Sequence, residues 1–124
     1  MIETRIRASI EAYAAAWNEH DPAQRGRLIE QACAEDLVMR TSRARIEGRS
    51  ALDALIADFQ KRHPGASVVF TSDIDIQGDL FRFSGRVEAS TIAGGAALDA
   101  GECGEDGRIR LLLTFIGATL PSRT

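Results

Sequence analysis

Cysteine is scarce in this 124-residue chain: only Cys33 and Cys103 occur, far apart in sequence. Neither belongs to a Cys-x-x-Cys pair, and no pair of histidines stands near them, so a structural metal site is not expected. No apolar run approaches the length of a membrane span, which argues against a membrane partner. The opening "MIETRIRASIEAY" places a glutamate where a secretory signal would be continuously apolar. The expected setting is therefore cytoplasmic, with both thiols reduced and serving as small apolar core residues, Cys33 on a helix and Cys103 on a strand. An excess of positive charge is also missing. Fifteen Lys and Arg face 18 Asp and Glu, for a net charge of −3, and no basic stripe interleaves with aromatics. Nucleic acid is excluded as an expected partner. Repeats, low-complexity tracts and linkers are absent, and the length suits one domain over residues 1–124.

What is present is a pattern that changes period along the chain. Ile6, Ile10, Tyr13 and Trp17 step by four, three and four, which is one face of a helix. Alanines at 8, 12, 14, 15 and 16 favour that helix and keep its other faces thin. In "NEHDPAQR" the adjacent His20 and Asp21 suggest a catalytic dyad, but Asp21 precedes Pro22 and stands three before Gln24. That is a helix N-cap with proline at the first position, so Asp21 starts a second helix and His20 lies in the turn. This helix carries Leu28, Ile29, Ala32 and Cys33 inward and ends near "AED", before a strand in "DLVMRT" and a short one in "RARIEG".

"GRSALDALIADFQKRHPG" predicts a third helix, capped by Ser50 with Asp53 and burying Leu52, Leu55, Ile56 and Phe59. His63, ahead of Pro64 and Gly65, ends it and suits the negative end of the helix dipole better than catalysis. The period then becomes two. "ASVVFTSDIDIQ" sets Val68, Phe70, Ile74 and Ile76 against Thr71, Asp73, Asp75 and Gln77, with the aspartates solvated. "LFRFSGRVEAST" turns Phe81, Phe83 and Val87 inward, with Arg82, Arg86 and Glu88 outward, and "AGGA" reads as the next turn. "ALDAGEC" and "RIRLLLTFIGATL" follow, the last strand apolar on both faces and so expected to be covered on both. The class is α+β, with three helices in the concavity of a strongly curved mixed or antiparallel sheet.

Taken together, "YAAAWNEHD", "AEDLVMRT", "IEGRSALDALI" and "EDGRIRLLLTF" resemble the NTF2-like superfamily over nearly the whole chain, and within it the SnoaL-like branch that includes small polyketide cyclases. The resemblance implies a cone whose interior holds a small, mostly apolar ligand, without a cofactor. It also implies a homodimer through the opposite face of the sheet. A partial similarity to ketosteroid isomerases implies that Tyr13 and Asp99 donate hydrogen bonds to an enolate-like oxygen. Asp99 shares its strand parity with the small Gly101 and Cys103, which suits a concave face. The pocket wall is assigned to Trp17, Met39, Thr41, Phe59, Phe83 and Phe115. Relatives carry the general base in the segment matching "DLVMRTS", where this chain has Thr41 followed by Ser42. A threonine is no base near neutral pH. Two readings stand: a SnoaL-like isomerase or cyclase acting on a cyclic carbonyl compound, and a non-catalytic NTF2-like module for ligand binding or dimerisation.

Overall fold

The computed structural model describes residues 1–89, 92–117 and 123. Helix α1 (Ile2–Asn18) and helix α2 (Pro22–Ala32) are followed by strands β1 (Cys33–Arg40) and β2 (Arg45–Glu47), then helix α3 (Arg49–Arg62). Five more strands complete the fold: β3 (Ser67–Phe70), β4 (Asp75–Gln77), β5 (Leu80–Ala89), β6 (Ile92–Cys103) and β7 (Ile109–Ile116). They form one curved sheet in the order β2-β1-β7-β6-β5-β3, with β4 also paired to β5. The sheet is mixed: β1 and β7 run parallel, and the other pairs are antiparallel. Among the described residues no helix is long and apolar enough to cross a membrane.

The helices pack on one face of this sheet. Ile6, Ile10 and Tyr13 of α1 meet Ile29 of α2, Leu52 and Ile56 of α3, and Leu37, Met39, Phe81, Phe83, Ile109 and Leu112 of the strands. Each fully buried aliphatic side chain contributes about 1.5–3 kcal/mol relative to exposure. Helix α2 begins as its sequence requires: the Asp21 carboxylate accepts the Gln24 backbone N–H at 3.0 Å, with Pro22 at the first turn. Cys33 is not helical. It takes an extended conformation, opens β1 and pairs with Ile109.

The start of α3 departs from its sequence signature. Gly48, at φ +87°, occupies the cap position, and neither Ser50 nor Asp53 makes a capping bond. Asp53 instead receives Arg25 Nε at 2.7 Å. Arg25 is buried, and its guanidinium also donates to Gln60 Oε1 and the Glu19 carbonyl. A buried cation requires such compensation, and this demand outweighs the modest gain of a cap. Gln60 in turn donates to the Trp17 and Glu19 carbonyls, so the pair satisfies the C-terminal end of α1. His63 ends α3 as expected, its N–H bonding the Phe59 carbonyl.

The segment from Ser67 to Gln77 is two strands rather than one. Ser72 accepts the Ser84 N–H, and the Thr71 N–H reaches the Ser84 carbonyl, which lifts Thr71–Ile74 out of the ladder. Val68 pairs with Val87 and Ile76 with Phe81, a register step of two that preserves the faces. Asp75 is not merely solvated, since it receives Arg82 at 2.7 Å. The "AGGA" segment is no turn but part of β6, with Gly95 opposite Val87 and Ala96 opposite Arg86. Ser90 and Thr91, at the end of the expected strand "LFRFSGRVEAST", lie outside the described residues. The last strand is apolar on both faces, but only one is covered in the chain, and Phe115 and Ile116 remain exposed.

Candidate functional site

Two buried polar side chains converge on the inner face of the sheet. Tyr13 follows Ile6 and Ile10 along the packed face of α1 and is 5% exposed. Asp99 sits in the middle of β6, directly between Phe83 on β5 and Thr114 on β7, and is 7% exposed. Alternation on β6 turns Asp99 toward the helices together with Gly101. A side chain on Gly101 would strike the Leu111 carbonyl and meet the Phe81 ring at 2.7 Å. The small residue beside Asp99 therefore admits Phe81 and a close strand.

Thr114 Oγ1 donates to Asp99 Oδ1 at 2.5 Å, within the range of a charge-assisted O–H···O bond. No fully buried side-chain polar atom among the described residues lacks a partner, and Oδ2 receives no hydrogen bond from them. Oδ2 is thus the carboxylate oxygen without a partner among the described residues. Burial raises the Asp99 carboxyl to about 6, against the lowering effect of Thr114. Burial, and then the neighbouring Asp99 carboxylate, raise Tyr13 well above an ordinary phenol, with the Trp17 side chain partly opposing them. At neutral pH Tyr13 is accordingly a hydrogen-bond donor, while Asp99 exchanges its proton in the mildly acidic range. Burial also pushes both thiols, Cys33 and Cys103, up to about 12. They are unpaired and unreactive at neutral pH.

The other expected wall residues divide. Trp17 meets Tyr13 edge-on, with ring centroids 6.3 Å apart, and Phe59 meets Trp17 at 5.3 Å. His63 continues the series, its ring centroid 5.2 Å from that of Phe59. Phe83 stacks on Phe81, and Met39 is buried in the same cluster. Tyr13, Met39, Phe83 and Asp99 are thus buried, Trp17 packs half-buried against their cluster, and Phe59 is half-buried beside Trp17. Thr41 does not join them through its hydroxyl, which accepts the Arg43 and Ala44 N–H groups in the β1–β2 turn. Phe115 is a correction. It pairs with Leu98 on the outer face and is 63% exposed.

The reason is a bulge. Cys103 pairs with Ile109, but Glu102 pairs with Leu111, so Arg110 is an extra residue on β7. Counting back from the turn without it puts Phe115 on the Asp99 face. With it, Thr114 takes that face. Thr114 is the residue that sequence reasoning missed, and only the cross-strand register identifies it.

Two grooves lie elsewhere on the surface. One groove of about 450 Å³ lies on the outer face of the sheet beside Leu80, Arg82, Leu111 and Leu113. Another of about 660 Å³ lies between α1 and α2, near Arg5, Arg27 and Arg108. Neither is lined by Tyr13 or Asp99.

The sequence matches no protein-family model, and it matches no curated protein. Solved structures do match. A candidate isomerase of the SnoaL-like family from Agrobacterium tumefaciens str. C58 is 28% identical, with a TM-score of 0.82 over 93% of this chain and 99% of that one. An NTF-2 like protein of unknown function from Burkholderia xenovorans LB400 is 18% identical, with a TM-score of 0.71 over 99% of this chain and 91% of its own. A candidate SnoaL-like polyketide cyclase from Jannaschia sp. CCS1 is 14% identical, with a TM-score of 0.69 over 89% of this chain and 85% of its own. Three helices on a curved mixed sheet, shared with these proteins over most of their lengths, give the chain the NTF2-like fold in the form found among SnoaL-like proteins.

Proposed function

We propose that the chain acts as a single SnoaL-like domain that binds a small, mostly apolar carbonyl compound in its interior and polarises the carbonyl oxygen, as an isomerase or cyclase does. The observation that carries this reading is the buried Tyr13–Asp99 pair beside the apolar core. A neutral phenol donates to a developing enolate oxygen at little cost of reorganisation, and such donors count for most where water is excluded. Covering Oδ2 with an apolar ligand removes its remaining solvent, which favours the protonated carboxyl and makes Asp99 the second donor. The solved relatives named as a candidate isomerase and a candidate polyketide cyclase lend support at the level of the family. Two buried, unpaired thiols suit a cytoplasmic protein.

The test is α-proton exchange of a cyclic ketone in D₂O, followed by NMR. Wild-type protein catalyses exchange, and Asp99→Ala or Tyr13→Phe lowers the rate by about 100-fold. Unchanged exchange in both variants overturns the reading.

A second reading has its own support. Thr41 stands where the resemblance to ketosteroid isomerases would place a base, and its hydroxyl is held by the β1–β2 turn. This favours a binding module that holds its ligand without turnover. Thermal stabilisation by the ketone, with no exchange above background, selects it. Under either reading the protein pairs with a second copy through the outer face of the sheet, where Leu80, Leu98 and Phe115 are exposed.

A further inference from the structure

We propose that Thr114 is a positioning residue that aims the Asp99 carboxyl, holding Oδ1 and leaving Oδ2 as the single oxygen that meets the ligand. The inference rests on the reading of Asp99 as a ligand-facing group, and it adds a residue and a direction to that site.

The geometry is fixed by the backbone. Asp99 and Thr114 face each other on adjacent antiparallel strands, in register and on the inner face. Threonine is β-branched and restricted about χ1 on a strand, so its hydroxyl occupies a defined place rather than sweeping a range. The bond to Oδ1 is short, at 2.5 Å. Rotation of the carboxyl, otherwise broad and nearly two-fold for aspartate, is thereby stopped in one orientation. Phe83 flanks Asp99 from β5 and offers no competing hydrogen bond. Asp99 is coupled to the Tyr13 phenol on α1, which is coupled in turn to Cys33 at the start of β1.

The chemical consequence follows from valence. An oxygen already accepting the Thr114 proton is the poorer place for a second one, so when Asp99 is protonated the acidic hydrogen resides on Oδ2. A proton passed to or from a ligand therefore travels through an atom of known position, with no carboxyl rotation in the step. Such preorganisation separates a buried aspartic acid that is merely tolerated from one that is aimed.

The experiment compares wild type, Thr114→Val and Thr114→Ser. Valine removes the donor with nearly the same shape, and serine keeps the donor in a smaller side chain. The Asp99 carboxyl is followed by carbon-13 NMR across pH, without any ligand. Loss of a hydrogen bond to the charged form raises the Asp99 midpoint by about one pH unit in Thr114→Val. Thr114→Ser stays close to wild type. A Thr114→Val midpoint equal to wild type overturns the proposal. So does an equal displacement in both variants, which would reflect packing alone.

Ketone exchange supplies the second readout. Thr114→Val lowers kcat by about tenfold with KM little changed, the pH limb of the rate moves with the NMR midpoint, and Thr114→Ser restores both. If the wild-type protein exchanges no ketone protons, the proposed enzymatic function fails, and the NMR titration alone still decides the role of Thr114.

Discussion

A carboxyl that folding withdraws from water holds its proton more firmly, and Asp99 does so by about two pH units, from 3.8 to about 6. Between those values the folded chain binds a proton that the unfolded chain has released. Stability from this group is therefore greatest below about pH 4, declines as pH rises toward 6, and stays at its lower level above. Asp99→Asn removes that cost while retaining an acceptor for Thr114. At pH 7.5 the variant is expected to be more stable than wild type by about 1–3 kcal/mol, with the difference vanishing near pH 4. Urea unfolding at the two pH values checks this. Equal stabilities at pH 7.5 would mean that the carboxyl is well solvated. A residue that costs stability in its ionised form is kept for something other than stability, which accords with a ligand-facing role.

Among the elements, local signatures were legible and distant pairings were not. Asp21, Pro22 and Gln24 announce α2 because a cap is settled within four residues. The apolar spacing that turns Tyr13 inward is likewise contained in α1. Ser50 and Asp53 carry an equally good signature, but Arg25, on another helix, claims Asp53. The partner of Asp99 was hidden for the same reason. A single extra residue, Arg110, reverses which side chains of β7 face inward, and no periodicity within β7 records it. Tyr13 and Asp99 were thus readable as candidates from the family resemblance together with helix spacing and strand parity, whereas Thr114 and the outward Phe115 depend on how two strands meet. Gly101 offers a direct test at this scale. Because an added methyl would strike the Leu111 carbonyl and the Phe81 ring, Gly101→Ala is expected to destabilise the fold by about 3 kcal/mol. A denaturant midpoint unchanged from wild type would show that β6 and β7 can separate at little cost.

For the molecule as a whole, the sheet has two unlike faces. The inner one is closed by three helices. The outer one presents Leu80, Leu98 and Phe115 to solvent, next to half-buried Leu111 and Leu113. Exposed apolar side chains gathered on one face, here with Arg82 and Glu102 among them, mark a contact site more often than an idle surface. Sedimentation velocity is expected to show wild-type protein as a dimer and Phe115→Asp as a monomer. A monomeric wild type at micromolar concentration would remove the sheet from consideration as an interface. The order of the strands has one more effect. β7 comes after every other described strand in the sequence, yet it lies inside the sheet, with β1 on one side and β6 on the other. On the ribosome, the β1–β2 hairpin and the β3–β6 segment consequently wait as separate pieces. Their apolar faces stay unsealed until one late strand arrives between them, so this chain relies on protection during translation more than a meander of equal length would.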